Sequence, residues 1–207
     1  MYRGNLWRRA KNVRYQQGMS NRVKRGIERS NKYISYIRKV FRSKNIPEDL
    51  AYLPHVESSF NDRAYSRVGA AGIWQFMPRS GKTYKLKIKN GIDERLDPLK
   101  ATLAAGWMLK DNYRILKKQW PLAVTAYNHG PYSIKRAIKR VGSLKLPKII
   151  KSYKHRSFSF ASKNFYASFL AAVHVAKNAS KYYKNLKLEP EFVFQTVKLK
   201  KSLRANT

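Results

Sequence analysis

One carboxylic acid, Glu57, stands among apolar and small residues in the stretch LPHVESSF at positions 53–60. The chain has only 11 Asp and Glu residues against 45 Lys and Arg, so an acid in this setting is unusual. Removing a carboxyl group from water disfavours its charged form and raises its pKa, which a general acid working near neutral pH requires. Glu57 is therefore a candidate general acid; the plainer interpretation is a surface residue at the end of a helix.

Other side-chain chemistries find less support. The four histidines show no metal-ligand spacing and the chain has no cysteine, so a zinc site is not expected. We accordingly expect no metal and no cofactor. A Ser-His-Asp triad stays open on sequence grounds, although no strand–Ser–helix elbow supports one.

The elements that would position Glu57 are predicted to be helices. Apolar residues recur at helical steps over residues 20–44, which indicates one amphipathic helix with a Lys and Arg polar face. Pro47 would begin a second helix, with Glu48 and Asp49 at its positive end, and this helix would run into Glu57.

Small residues follow the Glu57 segment. The run Gly69-Ala70-Ala71-Gly72 leads into Ile73-Trp74-Gln75-Phe76-Met77-Pro78. Small residues let one backbone approach another closely, and glycine adopts φ angles that other residues refuse. Alternating apolar and basic residues at 84–89, followed by Asn90-Gly91, predict a short exposed hairpin.

The rest of the chain is predicted to be helical from its Pro and Gly boundaries and its apolar spacing. The predicted helices span residues 98–119, 120–129, 131–141, 145–154 and 164–178. The first of them would direct these side chains to the core: Leu99, Leu103, Trp107, Tyr113 and Leu116. We predict a basic N-terminal extension (1–18), one helical domain (19–185) and a basic C-terminal segment (186–207) with a strand at 192–199.

The charge is strongly positive, with a formal net value of +34 at pH 7. Such an excess predicts attraction to a polyanion: nucleic acid, an anionic membrane surface or an acidic cell-wall polymer. No apolar run approaches the ~20 residues of a membrane span. The first residues lack the apolar core of a signal peptide, so the sequence fits either an internal protein or a mature form without its leader.

Three short elements carry a resemblance to a known family. Glu57-Ser58, Gly72-Ile73-Trp74-Gln75 and Ala126-Tyr127-Asn128 match, in order and separation, the Glu-Ser, Gly-Leu-Met-Gln and Ala-Tyr-Asn elements of the lytic transglycosylases. That domain is shared with goose-type lysozyme. Residues 13–183 resemble the membrane-bound lytic transglycosylase D branch.

The resemblance implies a mainly α, lysozyme-like fold with a small β-hairpin and a cleft that binds peptidoglycan glycan strands. Glu57 would act as general acid/base on the β-1,4 bond between N-acetylmuramic acid and N-acetylglucosamine. The muramic 6-hydroxyl would then close on C1 to give a 1,6-anhydro product, so the second carboxylate of two-carboxylate glycosidases would not be needed. Ser58, Gln75, Tyr127 and Asn128 would contact the sugar or orient Glu57, with capping or core satisfaction as their plainer role.

One element departs from the family pattern. The branch carries Glu-Thr-x-x-Tyr-Val before its last helix, where this chain reads Ala161-Ser162-Lys163-Asn164-Phe165-Tyr166. Phe165 replaces the expected tyrosine, and Tyr166 is one residue further, about 100° around a helix. We expect both to lie at the substrate site. The departure leaves open a hydrolytic lysozyme of the same fold that is selective for modified, for example de-N-acetylated, peptidoglycan.

Two further classes compete with an enzyme of this family. Interleaved basic and aromatic residues, as at Tyr33-Ile34-Ser35-Tyr36, would suit nucleic-acid binding, but that function does not account for Glu57, Gln75 and Asn128. An inactive glycan-binding relative is the other. We expect peptidoglycan as partner, no nucleic acid, a monomer, and a periplasmic or secreted location.

Overall fold

The structure, a computed structural model, describes residues 19–193, and within them it is mainly α-helical. The helices are α1 (Ser20–Ser30), α2 (Ile34–Ser43), α3 (Pro54–Glu57), α4 (Pro78–Thr83), α5 (Pro98–Ile115), α6 (Trp120–His129), α7 (Pro131–Val141), α8 (Leu146–Ser152), α9 (Phe160–Lys177) and α10 (Ala179–Tyr182). Two 3₁₀ helices (Glu48–Tyr52 and Glu94–Leu96) and the strands β1 (Ile88–Lys89) and β2 (Ile92–Asp93) complete the described elements. The predicted fold class is confirmed.

The helix predicted at residues 20–44 is wrong as a single element. The chain turns between α1 and α2, where Tyr33 leaves the helical region at φ −122°. The two halves serve different partners, because α1 packs against α3 while α2 packs against α5 and the first 3₁₀ helix. One straight helix could not reach both.

The segment that ends at Glu57 is also shorter than predicted. Pro47 precedes a 3₁₀ helix rather than an α-helix, and α3 adds a single turn that begins at Pro54 and ends at Glu57. Ser59 and Phe60 then adopt left-handed φ angles of 53° and 55°. These angles turn the chain sharply just after the candidate acid.

Helix α6 forms the centre of the domain. Its residues from Leu122 to Tyr127 are all buried, and it packs against α5, α7 and α9. A helix that is covered on every side is typical of a protein core. The fold thus carries the Ala126-Tyr127-Asn128 element out of the core at the end of its central helix.

Several predicted details need correction. Helix α5 ends at Ile115 rather than at 119, and Trp107 is 41% exposed instead of buried. Small side chains, including Ala101, Ala104 and Ala105, form the face of α5 that packs, because they allow neighbouring helices to approach closely. Helix α9 begins at Phe160, before the predicted position 164.

The hairpin prediction is confirmed: β1 and β2 pair antiparallel around Asn90 and Gly91, both with left-handed φ angles. The strand predicted at 192–199 lies almost wholly outside the described residues, as does the extension 1–18, and residues 192–193 are not in a strand. Between Lys187 and Phe192 the chain runs along α1 and the turn that follows it, with backbone bonds from Glu189 N to Glu28 O and from Phe192 N to Lys32 O. No helix within residues 19–193 is long and apolar enough to cross a membrane.

Candidate active site

Glu57 differs from the other acids around it because its carboxyl group has no partner. It is half-buried at the end of α3, and residues 19–193 supply no hydrogen bond or ion pair to its side chain. Every other carboxylate from position 28 to position 111 is paired or hydrogen-bonded: Glu28, Glu48, Asp49, Asp62, Asp93, Glu94, Asp97 and Asp111. Glu57 therefore has the isolation that its sequence context predicted.

Desolvation sets the protonation of this group. Burial raises the pKa of Glu57 from 4.5 to about 8. Two opposing effects are conceivable in a chain of charge +34, because burial favours the neutral acid while neighbouring cations favour the carboxylate. Burial dominates here, so Glu57 is mostly protonated at neutral pH.

Ser58 and Tyr127 hold the Gly72-to-Gln75 loop against the helices. The Ser58 hydroxyl donates to the Ile73 carbonyl at 2.9 Å, and the Tyr127 hydroxyl donates to the Trp74 carbonyl at 2.8 Å. Both hydroxyl protons are thereby committed to backbone. Burial raises the pKa of Tyr127 well above 10, and the negative charge of the nearby Glu57 carboxylate is the next largest cause.

Gly72 allows this loop to approach the second 3₁₀ helix. A Cβ atom placed at Gly72 would lie 1.8 Å from the Arg95 carbonyl oxygen, and the φ of Gly72 is +74°. The run of small residues at 69–72 predicts such a close backbone approach, and the structure confirms it at Gly72.

Arg95 was missed by sequence analysis. Its side chain is almost fully buried, donates to the carbonyls of Gly69 and Phe76, and forms an ion pair with Asp93 at 2.6 Å. It thus fixes both ends of the loop. One arginine among 45 basic residues gives no sequence signal for such a role.

Gln75 lies in this loop with a left-handed φ of 48°. Its side-chain amide nitrogen donates to the Gly72 carbonyl at 2.9 Å, which closes the loop on itself. The side chain is half-buried. Its amide oxygen makes no hydrogen bond within the described chain and can accept one from a ligand.

Asn128 is exposed and belongs to a small network at the end of α6. The Ser162 hydroxyl on α9 donates to Asn128 Oδ1 at 3.0 Å and lies 3.1 Å from His129 Nδ1. Capping is not the role of Asn128, because the helix is terminated by Gly130. The side-chain NH₂ of Asn128 has no partner within the described chain.

The network favours one tautomer of His129. The Ser162 hydroxyl has one proton; if it donates to Asn128, it must accept the proton on His129 Nδ1. His129 Nε2 is then a bare nitrogen, and this is the atom that is buried without a partner among residues 19–193. An unpaired acceptor is tolerated better than an unpaired N–H. Burial, followed by the charges of His155 and Arg136, lowers the His129 pKa, which keeps the ring neutral.

Phe165 and Tyr166 both lie on the buried face of α9. They are 7% and 5% exposed and share this face with Ser162, Phe169 and Val173. Consecutive side chains point about 100° apart around a helix, yet both of these residues are buried. The reason is that α9 is covered by α6, α3 and the first 3₁₀ helix. Tyr166 makes no hydrogen bond to another described residue, and burial raises its pKa.

Other candidate sites are weak within the described region. Residues 19–193 contain no group of three or more His, Cys, Asp or Glu able to hold a metal ion. An open depression of about 540 Å³ is lined by Tyr84, Trp107, Lys110 and Asp111 among others, but not by Glu57.

The unpaired Glu57 and the loop held by Ser58 and Tyr127 lie in the part of the chain that a family model matches. The family model described as the transglycosylase SLT domain matches residues 35–150, and the chain belongs to this family. The match includes Glu57, Gln75 and Asn128. Helix α9, with its departing sequence, lies beyond it.

Among individual relatives, the membrane-bound lytic murein transglycosylase D of Escherichia coli (strain K12) is 38% identical over 111 residues. The match covers 54% of this chain and 25% of that protein. A putative tributyltin chloride resistance protein of Alteromonas sp. (strain M-1) is 34% identical over 113 residues, covering 55% of each. The chain therefore spans between about a quarter and about half the length of these two relatives.

Solved structures support the same fold. The 70 kDa soluble lytic transglycosylase of Escherichia coli superposes with a TM-score of 0.58 at 18% identity, covering 77% of this chain and 27% of that one. An inactive mutant of the lytic transglycosylase Slt from Pseudomonas aeruginosa gives a TM-score of 0.57 at 15% identity, covering 75% and 25%.

Proposed function

We propose that this protein is a peptidoglycan-cleaving lytic transglycosylase that acts on the β-1,4 bond between N-acetylmuramic acid and N-acetylglucosamine. The observation that carries the proposal is Glu57: a half-buried, unpaired carboxyl group with a pKa of about 8, inside the region that the family model matches. A group with this pKa can donate a proton at neutral pH.

Glu57 serves first as acid and then as base. The neutral carboxyl donates its proton to the glycosidic oxygen, the bond from C1 to that oxygen breaks, and the N-acetylglucosamine side leaves as an alcohol. The resulting carboxylate then takes the proton of the muramic 6-hydroxyl, and the oxygen of that hydroxyl bonds to C1. The product is a 1,6-anhydro sugar, no water is consumed, and Glu57 returns to its starting form.

The pairing of the other acids supports an internal nucleophile. Glycosidases that activate water or form a covalent intermediate use a second carboxylate beside the first. In the described structure, the acids that flank Glu57 in sequence are all engaged: Asp49 by Lys177 and Asp62 by the Tyr33 hydroxyl. This favours the transglycosylase over the hydrolytic alternative.

The remaining site residues divide between positioning and binding. Ser58 and Tyr127 hold the loop, since their hydroxyl protons are used on backbone carbonyls. The free amide oxygen of Gln75 and the free NH₂ of Asn128 would bind the N-acetyl or hydroxyl groups of the sugars. Phe165 and Tyr166 would shape the apolar floor of the cleft from α9.

A substrate in the cell wall places the action of the protein in the periplasm or outside the cell. Lytic transglycosylases named as membrane-bound are among its relatives. We expect it to act as a monomer, because a single chain supplies every residue of the site proposed above.

The test compares Glu57→Gln with Glu48→Gln, a substitution at a surface acid paired with Arg42. Glu57→Gln removes the proton but keeps the shape, so we expect a loss of at least about 10³-fold in digestion of purified peptidoglycan. Glu48→Gln should digest at the native rate. Mass spectra of the wild-type products should show muropeptides lighter than the hydrolysis products by one water. Near-native digestion by Glu57→Gln would refute the assignment of the acid, and products of hydrolytic mass would refute the anhydro route.

A further inference from the structure

The outer faces of α7 and α8 carry positive charge that no acid compensates. No Asp or Glu occurs between Asp111 and Glu189. The α7–α8 basic surface consists of these exposed side chains: Lys135, Arg136, Lys139, Arg140, Lys148 and Lys151. Within residues 19–193 none of them takes part in an ion pair.

Helix stability does not explain this concentration of charge. On α7, Lys135 and Lys139 are four residues apart, as are Arg136 and Arg140. Like charges at this spacing lie side by side and destabilise a helix. Surfaces that only need to be soluble mix both signs. A ligand that brings negative charge would remove the repulsion.

The α7–α8 basic surface adjoins the proposed cleft. Helix α7 begins at Pro131, directly after the end of α6 that carries Asn128 and His129. Arg136 lies close enough to His129 for its charge to affect that ring. With a rise of about 1.5 Å per residue, Lys139 lies roughly 12 Å along α7 from Pro131. A polymer bound at Asn128 therefore has the basic surface beside it.

We propose that the α7–α8 basic surface binds the carboxylates of the peptide side chains that a peptidoglycan strand carries. The proposal rests on the proposed function, which places the strand in the neighbouring cleft. N-acetylglucosamine is neutral, and the lactyl carboxyl of N-acetylmuramic acid is used in the amide bond to the peptide, so a peptide-bearing strand brings its negative charge through its peptides. Lys and Arg bind carboxylates through charge-assisted hydrogen bonds. This surface would give the protein preference for peptide-bearing glycan over bare glycan.

The test measures binding to purified, lipid-free peptidoglycan sacculi by sedimentation, in a Glu57→Gln background that prevents digestion. One variant carries Lys135→Gln, Lys139→Gln, Lys148→Gln and Lys151→Gln. Its matched control carries Lys39→Gln, Lys82→Gln, Lys117→Gln and Lys118→Gln, four exposed lysines of other surfaces. We expect about tenfold weaker binding for the first variant and less than about twofold for the control.

A second arm uses sacculi whose carboxyl groups have been converted to neutral amides with carbodiimide and glycinamide. These sacculi should bind the native surface and the α7–α8 variant equally weakly. Equal losses in both four-lysine variants would overturn the proposal in favour of net charge alone, and undiminished binding to amidated sacculi would overturn the carboxylate ligand. A third outcome would assign the surface to a membrane instead. In that case only the α7–α8 variant would lose binding to phosphatidylglycerol vesicles, while its binding to sacculi would be intact.

Catalysis is measured separately, in proteins that retain Glu57. Cleavage of a peptide-free glycan oligosaccharide should be unchanged by the four substitutions on α7 and α8. If the wild-type protein cleaves no glycan at all, the proposed function fails, while the binding arms still report on the surface.

Discussion

At the residue scale, Glu57 combines a chemical advantage with a stability cost. Its raised pKa keeps the proton available at neutral pH, but it also means that the folded state binds a proton that the unfolded state releases. Gln in its place has no proton to lose. The same substitution that removes activity should therefore increase stability, and the size of that increase should depend on pH.

The sign follows from the two pKa values, about 8 in the folded chain and 4.5 as the ordinary value. Between these two pH values, deprotonation of Glu57 in the unfolded chain lowers the free energy of unfolding of the wild type by up to about 1.4 kcal/mol per pH unit. We expect Glu57→Gln and the wild type to have similar free energies of unfolding at pH 4. At pH 8 the free energy of unfolding of Glu57→Gln should exceed that of the wild type by a few kcal/mol. Thermal unfolding of both proteins across this range measures the difference. A constant difference at every pH would show that Glu57 titrates normally.

The Ser162 hydroxyl is a second residue-scale feature, since it orients the Asn128 amide from α9. Without this hydroxyl, Asn128 loses its fixed orientation. We therefore expect Ser162→Ala to raise KM by about tenfold, which corresponds to the loss of one hydrogen bond of about 1–1.5 kcal/mol. Ser162→Thr should restore the native value, and Ser168→Ala, on the exposed face of α9, serves as the control.

A purely structural role of Ser162 can be distinguished by NMR. The ¹⁵N spectrum of wild-type His129 should show the proton on Nδ1, and Ser162→Ala should change that tautomer equilibrium. An unchanged spectrum together with an unchanged KM would show that the network does not position Asn128.

At the element scale, sequence patterns located the helices but not their breaks. Apolar spacing continues across residues 31–33, so periodicity gives one helix where tertiary packing requires α1 and α2. The Asn90-Gly91 turn and the end of α7 at Gly142 were predictable, because each depends on the local conformational freedom of glycine. Boundaries set by distant partners were not predictable in this way.

The candidate site shows the same division between local and tertiary information. Glu57, Gln75 and Asn128 stand in short motifs that can be identified along the chain. Arg95 fixes the loop through Gly69 and Phe76, which lie 26 and 19 positions away in sequence. Such a contact depends on the folded geometry, and an arginine in a basic chain gives no sign of it.

At the scale of the whole molecule, the charge of +34 acts beyond any single contact. Stability gains little from it, because few acids are available for ion pairs and like charges repel. The benefit would lie in association: a strongly positive protein is drawn to a wall polymer that bears carboxylates or phosphates, whereas a neutral oligosaccharide is not attracted. Salt separates the two effects, since screening reduces the reach of a charge to about 8 Å at physiological ionic strength.

We therefore expect the rate of digestion of whole cell walls to fall more steeply with salt than the rate on a short peptide-free glycan oligosaccharide. The lactyl carboxyl groups of this oligosaccharide are amidated, which leaves it neutral but keeps the bond that is cleaved. Both rates are measured with the same enzyme from about 20 to 500 mM NaCl, where the Debye length shortens severalfold. Effects of salt on folding or on Glu57 would change the two rates together, so the oligosaccharide serves as the internal control. Only long-range attraction to the wall produces a difference between them. Parallel salt profiles for the two substrates would mean that the positive charge has no part in recognition of the wall.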